Sequence, residues 1–332
     1  MRSLPDGLDM TLLRPALVDG WGLQPAAVDY VAVGFGSYHW SVRTSDAERY
    51  FVTVDDLDSK PWLGATRDDS FAGLTAAFDT VGALRADRGL EFALAPVEGI
   101  RRESLRRIDD RYAVAVFPWV EGGGGRFDED LSPAERCQAL DLLADLHRAA
   151  PPSTGLRTFD PGFARECLEP ALDQVDTPWQ GGPYSEPART WLAHNSARLR
   201  QRLQEFDRLA EALSGRAVVV THGEPHPGNL MRTSGGLVLV DWDTVALAPP
   251  ERDLWMLAPL AQDEVARYAE ATGHLPDEAA LELYSLAWDL ADLAEYVALF
   301  RSPHPKSEDT DQAWDELNQI NLERAVSPTG GT

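Results

Sequence analysis

The sequence predicts an α+β chain in two parts: an antiparallel-sheet lobe over residues 1–120 and a mainly helical lobe over residues 121–332. Three observations carry this reading. Short strand-like runs with turn residues between them crowd into residues 28–60. Four consecutive glycines, Gly122 to Gly125, follow a further apolar run. Beyond them, apolar residues recur mostly at spacings of three and four.

In the first lobe, Val28 to Val33 has strand composition and meets Gly34-Phe35-Gly36-Ser37. A second run, Tyr38 to Arg43, follows, and the turn Ser45 to Glu48 leads to a third, Tyr50 to Val54. Residues 68–87 turn helical through Phe71, Leu74, Phe78, Val81 and Leu84, and residues 110–120 form another strand. The glycines after it mark a hinge or a close-approach loop and place the lobe boundary. Ser132-Pro133-Ala134-Glu135 is a helix start with a capping box. A long helix over 187–213 ends at Gly215, and Val218 to Val220 is a buried strand. Leu237 to Val240 is a second strand, joined to the first region through Ser234-Gly235-Gly236. Helices follow near 252–261, 263–272, 277–300 and 308–324.

Composition excludes several classes. Acidic residues outnumber basic ones by 54 to 30, for a net charge of −24, which repels nucleic-acid phosphate and anionic membrane. The same charge attracts cations at long range. Met1 to Gly20 lacks the apolar core of a signal peptide, and Tyr112 to Val120 is too short to span a bilayer. The expectation is a cytoplasmic protein with small-molecule ligands and no obligate protein partner. Cys137 and Cys167 alone make neither a disulfide framework nor a zinc site. Lysine occurs only at Lys60 and Lys306, so a function that needs an ammonium group has few candidates.

The chemistry-bearing segment is Thr221-His222-Gly223-Glu224-Pro225-His226-Pro227-Gly228-Asn229, followed after a short hairpin by Val240-Asp241-Trp242-Asp243. Zinc hydrolysis would use His222, Glu224 and His226, but Gly223, Pro225 and Pro227 forbid the helix that motif needs. Phosphoryl transfer fits better. It needs a carboxylate to orient the attacking hydroxyl, an amide oxygen five residues on for Mg²⁺, and an aspartate after a hairpin to bridge metal and phosphates. Glu224, Asn229 and Asp241 have that order. Gly34, Phe35, Gly36 and Ser37 can cover the phosphates with bare backbone, and Phe117, Trp119 and Val120 precede a hinge that can hold a purine.

These motifs, with Glu251-Arg252-Asp253-Leu254-Trp255 and Leu143-Ala144-Asp145-Leu146-His147, resemble the aminoglycoside phosphotransferase family. The likeness is greatest to its spectinomycin-type antibiotic kinases. The resemblance implies a two-lobed protein-kinase-like fold and Mg²⁺-dependent transfer of the γ-phosphate of ATP or GTP to a hydroxyl of an antibiotic, for resistance or self-protection. Two positions depart from the family: Glu224 stands where Asp is usual, and Thr53 stands where the third strand should carry a phosphate-binding lysine. Lys60 or Arg43 is expected to replace that lysine. The acceptor is expected to meet His226, Asp243, Trp255, Trp288, Asp289, Asp292 and Glu295, an acidic and aromatic set suited to an aminocyclitol, aminoglycoside or nucleoside-like ring. Two alternatives stay open: a metabolic kinase for choline, an amino alcohol or a sugar, and an inactive member that only binds nucleotide or ligand.

Overall fold

The computed structural model describes residues 1–320 apart from positions 6, 9, 35, 128 and 161. Helix α1 (Met10–Trp21) precedes strands β1 (Pro25–Val31), β2 (Ser37–Thr44) and β3 (Arg49–Asp56). Helix α2 (Arg67–Arg88) leads to strands β4 (Arg106–Arg107), β5 (Tyr112–Pro118) and β6 (Gly123–Gly124). Helices α3 (Pro133–Arg148), α4 (Phe163–Asp173) and α5 (Ser185–Ala212) follow. Then come strands β7 (Val219–Thr221), β8 (Leu230–Thr233), β9 (Gly236–Leu239) and β10 (Ala246–Ala248). Helices α6 (Glu251–Leu254), α7 (Gln262–Thr272), α8 (Glu278–Arg301) and α9 (Glu308–Gln319) complete the order. By contact the chain gathers into two units, Met1–Phe159 with Ala217–Leu275 and Asp160–Arg216 with Pro276–Thr332. Each unit thus takes two separate stretches of chain, where the sequence suggested a single cut at 120/121.

In the first unit, β1-β2-β3-β5-β4 form one antiparallel sheet. Side-chain alternation along its strands gives it two different faces. Trp40, Val42, Val52, Val54, Tyr112, Val114 and Val116 pack with Leu13 and Leu17 of α1. That helix was not expected from the sequence, although Leu13, Ala16, Leu17 and Gly20 supply its buried stripe at three- and four-residue spacing. The opposite face carries Ala113 and Ala115 with Phe117, which pack with Leu74 and Phe78 of α2. By the same alternation Ser37, His39, Phe51, Thr53 and Asp55 belong to this second face. Apart from Phe51 these side chains are polar, and on an otherwise apolar sheet they leave room for something other than core.

The glycine run is a close-approach segment. Gly123 pairs with Arg232 and Gly124 with Met231, so β6 becomes the edge of a three-stranded sheet with β8 and β9. A Cβ on Gly122 would lie 2.5 Å from the Arg232 carbonyl oxygen, and one on Gly125 would lie 2.6 Å from that of Pro227. The capping box of α3 forms as its sequence indicates, with Ser132 and Glu135 each bonded to the other's backbone. The strand at 218–220 differs from expectation in its partner: β7 pairs with β10, and the hairpin is β8–β9.

The second unit is helical. Leu168, Ala171 and Leu172 of α4 meet Leu192, Leu199, Leu203 and Phe206 of α5, and Leu286, Leu290, Leu293, Val297 and Phe300 of α8. Each leucine removed from water in this way contributes about 2 kcal/mol. The helix expected over 308–324 ends at Gln319, with residues 321–324 outside those described.

Candidate active site

Strand β7 delivers Thr221 to a loop that cannot be α-helical, and buried hydrogen bonds fix its shape. Gly223 has φ +106, and a Cβ there would run into the Arg252 guanidinium. Asp253, fully buried, accepts from the backbone N–H of His222 at 2.8 Å and of Gly223 at 2.6 Å. It also bonds His147 Nε2 at 3.0 Å, while His147 Nδ1 meets the Tyr268 hydroxyl at 2.6 Å. Burial alone would raise Asp253, yet His147, Arg252 and His222 hold its carboxyl below the ordinary value. Arg252 donates to Thr221 Oγ1 and to the Thr244 carbonyl, and Thr244 Oγ1 donates back to the His222 carbonyl.

His222 is committed on both ring nitrogens. Nδ1 accepts from the Glu224 N–H at 3.1 Å and Nε2 donates to the Val240 carbonyl at 2.9 Å. Burial pushes this ring down to about 4, so it stays neutral. Neither nitrogen is left for zinc. Among the described residues no three His, Cys, Asp or Glu side chains gather as a metal cluster.

Asn229 Nδ2 donates to the Glu224 carbonyl at 3.0 Å, across the five-residue loop. Its amide oxygen is therefore the end left for a cation. The Asn229 carbonyl accepts from the Val240 N–H at 3.0 Å, which brings Asn229 and Asp241 to the same end of the β8–β9 hairpin. Asp241 has φ +64, a conformation that costs a non-glycine residue energy and that collects at functional sites. The residue keeps exposure to solvent, although many protein atoms surround its carboxylate. Burial first, then the charges of Asp243 and Glu224, raise its pKa well above the ordinary value. An amide oxygen and a carboxylate under such repulsion are the donor chemistry of a hard divalent cation, and Mg²⁺ fits the residues present.

Lys60 lies on the second face of the N-terminal sheet, with its side chain 1 % exposed. Its Nζ is 2.6 Å from Asp243 Oδ2, 3.1 Å from Asp55 Oδ1 and 3.3 Å from Ser37 Oγ. Burial pulls its pKa down, but Asp243 and Asp55 outweigh this and hold the ammonium well above its ordinary value. Thr53, two residues before Asp55 on the same face, lies 3.3 Å from His39 Nδ1 through its hydroxyl. Burial pushes His39 down to about 3, so no cation stands at the strand position.

The other expected residues separate clearly. Arg43 is exposed and pairs with Arg49 at the far end of β2 from Ser37, so it cannot stand in for the missing lysine. Asp243 is turned to Lys60, which here takes its Oδ2 oxygen. Gly34 and Gly36 take positive φ, +69 and +84, at the bend before Ser37, and Phe35 lies outside the described residues. Phe117 packs edge-on to Phe78, and Trp119 lies under the Arg49 guanidinium at 3.7 Å. Val120 is half-buried just beyond them. His226 meets Phe127 edge-on, and Trp255 is half-buried after α6. Trp288, Asp289, Asp292 and Glu295 all lie on α8 of the second unit. There Asp289 faces Arg202 at 3.8 Å, and burial with Glu316 nearby raises Asp292 to about 7. Sequence reasoning assigned no role to Asp253, His147 or Asp55. Asp253 and His147 were visible only as parts of motifs, and Asp55 carried no local signal.

The sheet, the loop and the hairpin together define a phosphotransferase of kinase-like architecture. Residues 31–296 match the model of the phosphotransferase enzyme family, APH, and the chain belongs to that family. It is a phosphotransferase acting on a hydroxyl acceptor. Protein StrN of Streptomyces griseus is 29 % identical over 283 residues, 78 % of this chain and 80 % of that protein. Among solved structures, spectinomycin phosphotransferase APH(9)-Ia in complex with ADP and spectinomycin aligns over 94 % of both chains. Its TM-score is 0.70 at 16 % identity. Choline kinase LicA from Streptococcus pneumoniae aligns over 93 % of this chain and 96 % of its own, with a TM-score of 0.57 at 13 % identity. At such identities these likenesses show a shared fold. No described helix is long and apolar enough to cross a membrane.

Proposed function

We propose that this chain moves the γ-phosphate of ATP or GTP to a hydroxyl of a small antibiotic, an aminoglycoside, aminocyclitol or nucleoside-like compound, and so protects its host. One observation carries the reading: the Asn229 amide is bonded to the Glu224 backbone at one end of the hairpin that carries Asp241, and Glu224 acts electrostatically on Asp241. Glu224 orients the acceptor hydroxyl and takes its proton late in a loose transition state. Asn229 and Asp241 would hold Mg²⁺, which when bound offsets the negative charge of the triphosphate. Gly34, Gly36 and Ser37 cover the phosphates, Lys60 binds them, and residues 117–120 hold the base. The lobe boundary at 120/121 belongs to the same proposal, as does an acceptor role for the α8 acids, which rests on their charge. The reaction is expected in the cytoplasm.

The direct test incubates the protein with Mg·ATP or Mg·GTP and an antibiotic panel, with choline and sugars as controls. Mass spectrometry then looks for products heavier by one phosphate group. Glu224→Gln is expected to lower kcat by about 10²–10⁴-fold while nucleotide binding persists. Unchanged turnover in that variant removes Glu224 from the mechanism. Product from choline but from no antibiotic redirects the reading to a metabolic kinase.

A further inference from the structure

Lys60 does not sit on a strand. It follows β3 through a single 3-10 turn, Leu57–Ser59, and that turn is fixed at several points. The Asp58 N–H and the Ser59 hydroxyl bond to Asp56, Arg111 pairs with the Asp56 carboxylate, and the Ser70 hydroxyl and the Leu63 N–H bond to the Lys60 carbonyl. The backbone is therefore held, but a four-carbon side chain still needs an anchor at its tip. Two carboxylates touch that tip, and they differ in kind. Asp243 lies two residues past Asp241, on the segment that an anionic donor must approach. Asp55 lies on β3, 1 % exposed, and Ser37 Oγ donates to its Oδ1 at 2.6 Å. That oxygen thus serves both Lys60 and the first residue after the glycine bend. Asp55 Oδ2 is buried with no hydrogen-bond partner among the described residues. A bare carboxylate oxygen in the interior costs stability, and packing gains nothing from it.

We propose that Asp55 is the positioning acid for Lys60. It holds the ammonium on the sheet face, and the glycine bend in register with it, while Lys60 exchanges Asp243 for an oxygen of the donor phosphates. The ammonium has three hydrogens, so it can keep Asp55 and Ser37 while changing its third partner. This rests on the phosphate-transfer reading above and adds a residue to it.

The test is a double-mutant cycle on Mg·ATP binding, measured by calorimetry without any acceptor. The four proteins are the natural chain, Asp55→Asn, Lys60→Met and the double variant. Each single change is expected to weaken Mg·ATP at least about tenfold, as loss of a charge-assisted hydrogen bond does. The double variant is expected to bind no more weakly than Lys60→Met alone, because Asp55 acts through Lys60. Adenosine, which has no phosphate, is expected to bind all four alike, a result that a general loss of structure would not give. If Asp55→Asn does not fold, Asp55→Glu replaces it, expected to weaken Mg·ATP when Lys60 is present and not when it is combined with Lys60→Met. A singly changed Asp55 that binds like the natural chain, or effects that multiply in the double variant, overturns the role of Asp55 alone. A natural chain that binds only Mg·GTP is put through the same cycle with Mg·GTP and guanosine, and one that binds neither nucleotide overturns the phosphate-transfer reading and this role together.

Discussion

A carboxylate that water does not reach must find its donors inside the protein, and Asp253 finds three: two backbone N–H groups and His147. The two backbone groups belong to His222 and Gly223, so Asp253 sets the path of the chain into Glu224. Asp253→Asn puts an amide where those N–H groups need an acceptor. It is expected to destabilise the protein by about 3 kcal/mol, read as a shift of the urea midpoint, and to lower kcat along with it. A midpoint within error of the natural chain would show that the loop shapes itself. At this scale, legibility follows sequence distance. Glu224, Asn229 and Asp241 are close in the chain, and their order could be read directly. The contact of Lys60 with Asp243 spans 183 positions, and no spacing rule reaches that far. The rarity of lysine and its place seven residues past Thr53 were the sequence signals that singled Lys60 out.

Secondary elements show where local pattern suffices and where pairing decides. The capping box of α3 is a local code and reads correctly, since its partners are three residues apart. Strand β7 was visible as a strand, but its partner β10 was not, because a three-residue strand carries no register information of its own. Helix α1 went unseen because Pro15 and the polar residues around it masked a narrow buried stripe. The glycine run is intermediate: its need for close approach was legible, the neighbour was not. The four positions are also unequal. A methyl group on Gly122 or Gly125 would press against a carbonyl oxygen, while a Cβ on Gly123 would meet nothing within 4 Å. Gly122→Ala is therefore expected to lower the melting temperature by several degrees, and Gly123→Ala to leave it within about a degree. Equal effects at both sites would mean that chain flexibility, and not contact, explains the run.

The whole molecule carries 24 more acidic than basic charges, and its stability should depend on pH from two directions. Asp58, Glu264 and Asp277 are lowered, chiefly by hydrogen bonds from Arg67, Arg136 and Arg216. Stability from such groups is complete above their unfolded pKa values, near 4, and is lost as pH falls through the lower folded ones. Asp292 has the opposite sign. Burial and Glu316 raise it from 3.8 to about 7, so the folded chain holds a proton there that the unfolded chain has released. That contribution is complete below pH 3.8 and is lost as pH rises to about 7. The two families together predict maximal stability on the acid side of neutrality. Asp292→Asn isolates one of them, since the amide is neutral at every pH. Near pH 8 the variant is expected to melt higher than the natural chain, and the difference should shrink steadily and close near pH 4. A pH-independent difference would place the effect in packing. Equal melting at pH 8 would mean that α8 and α9 bear the extra charge at no cost, with Asp292 ionised like any surface acid.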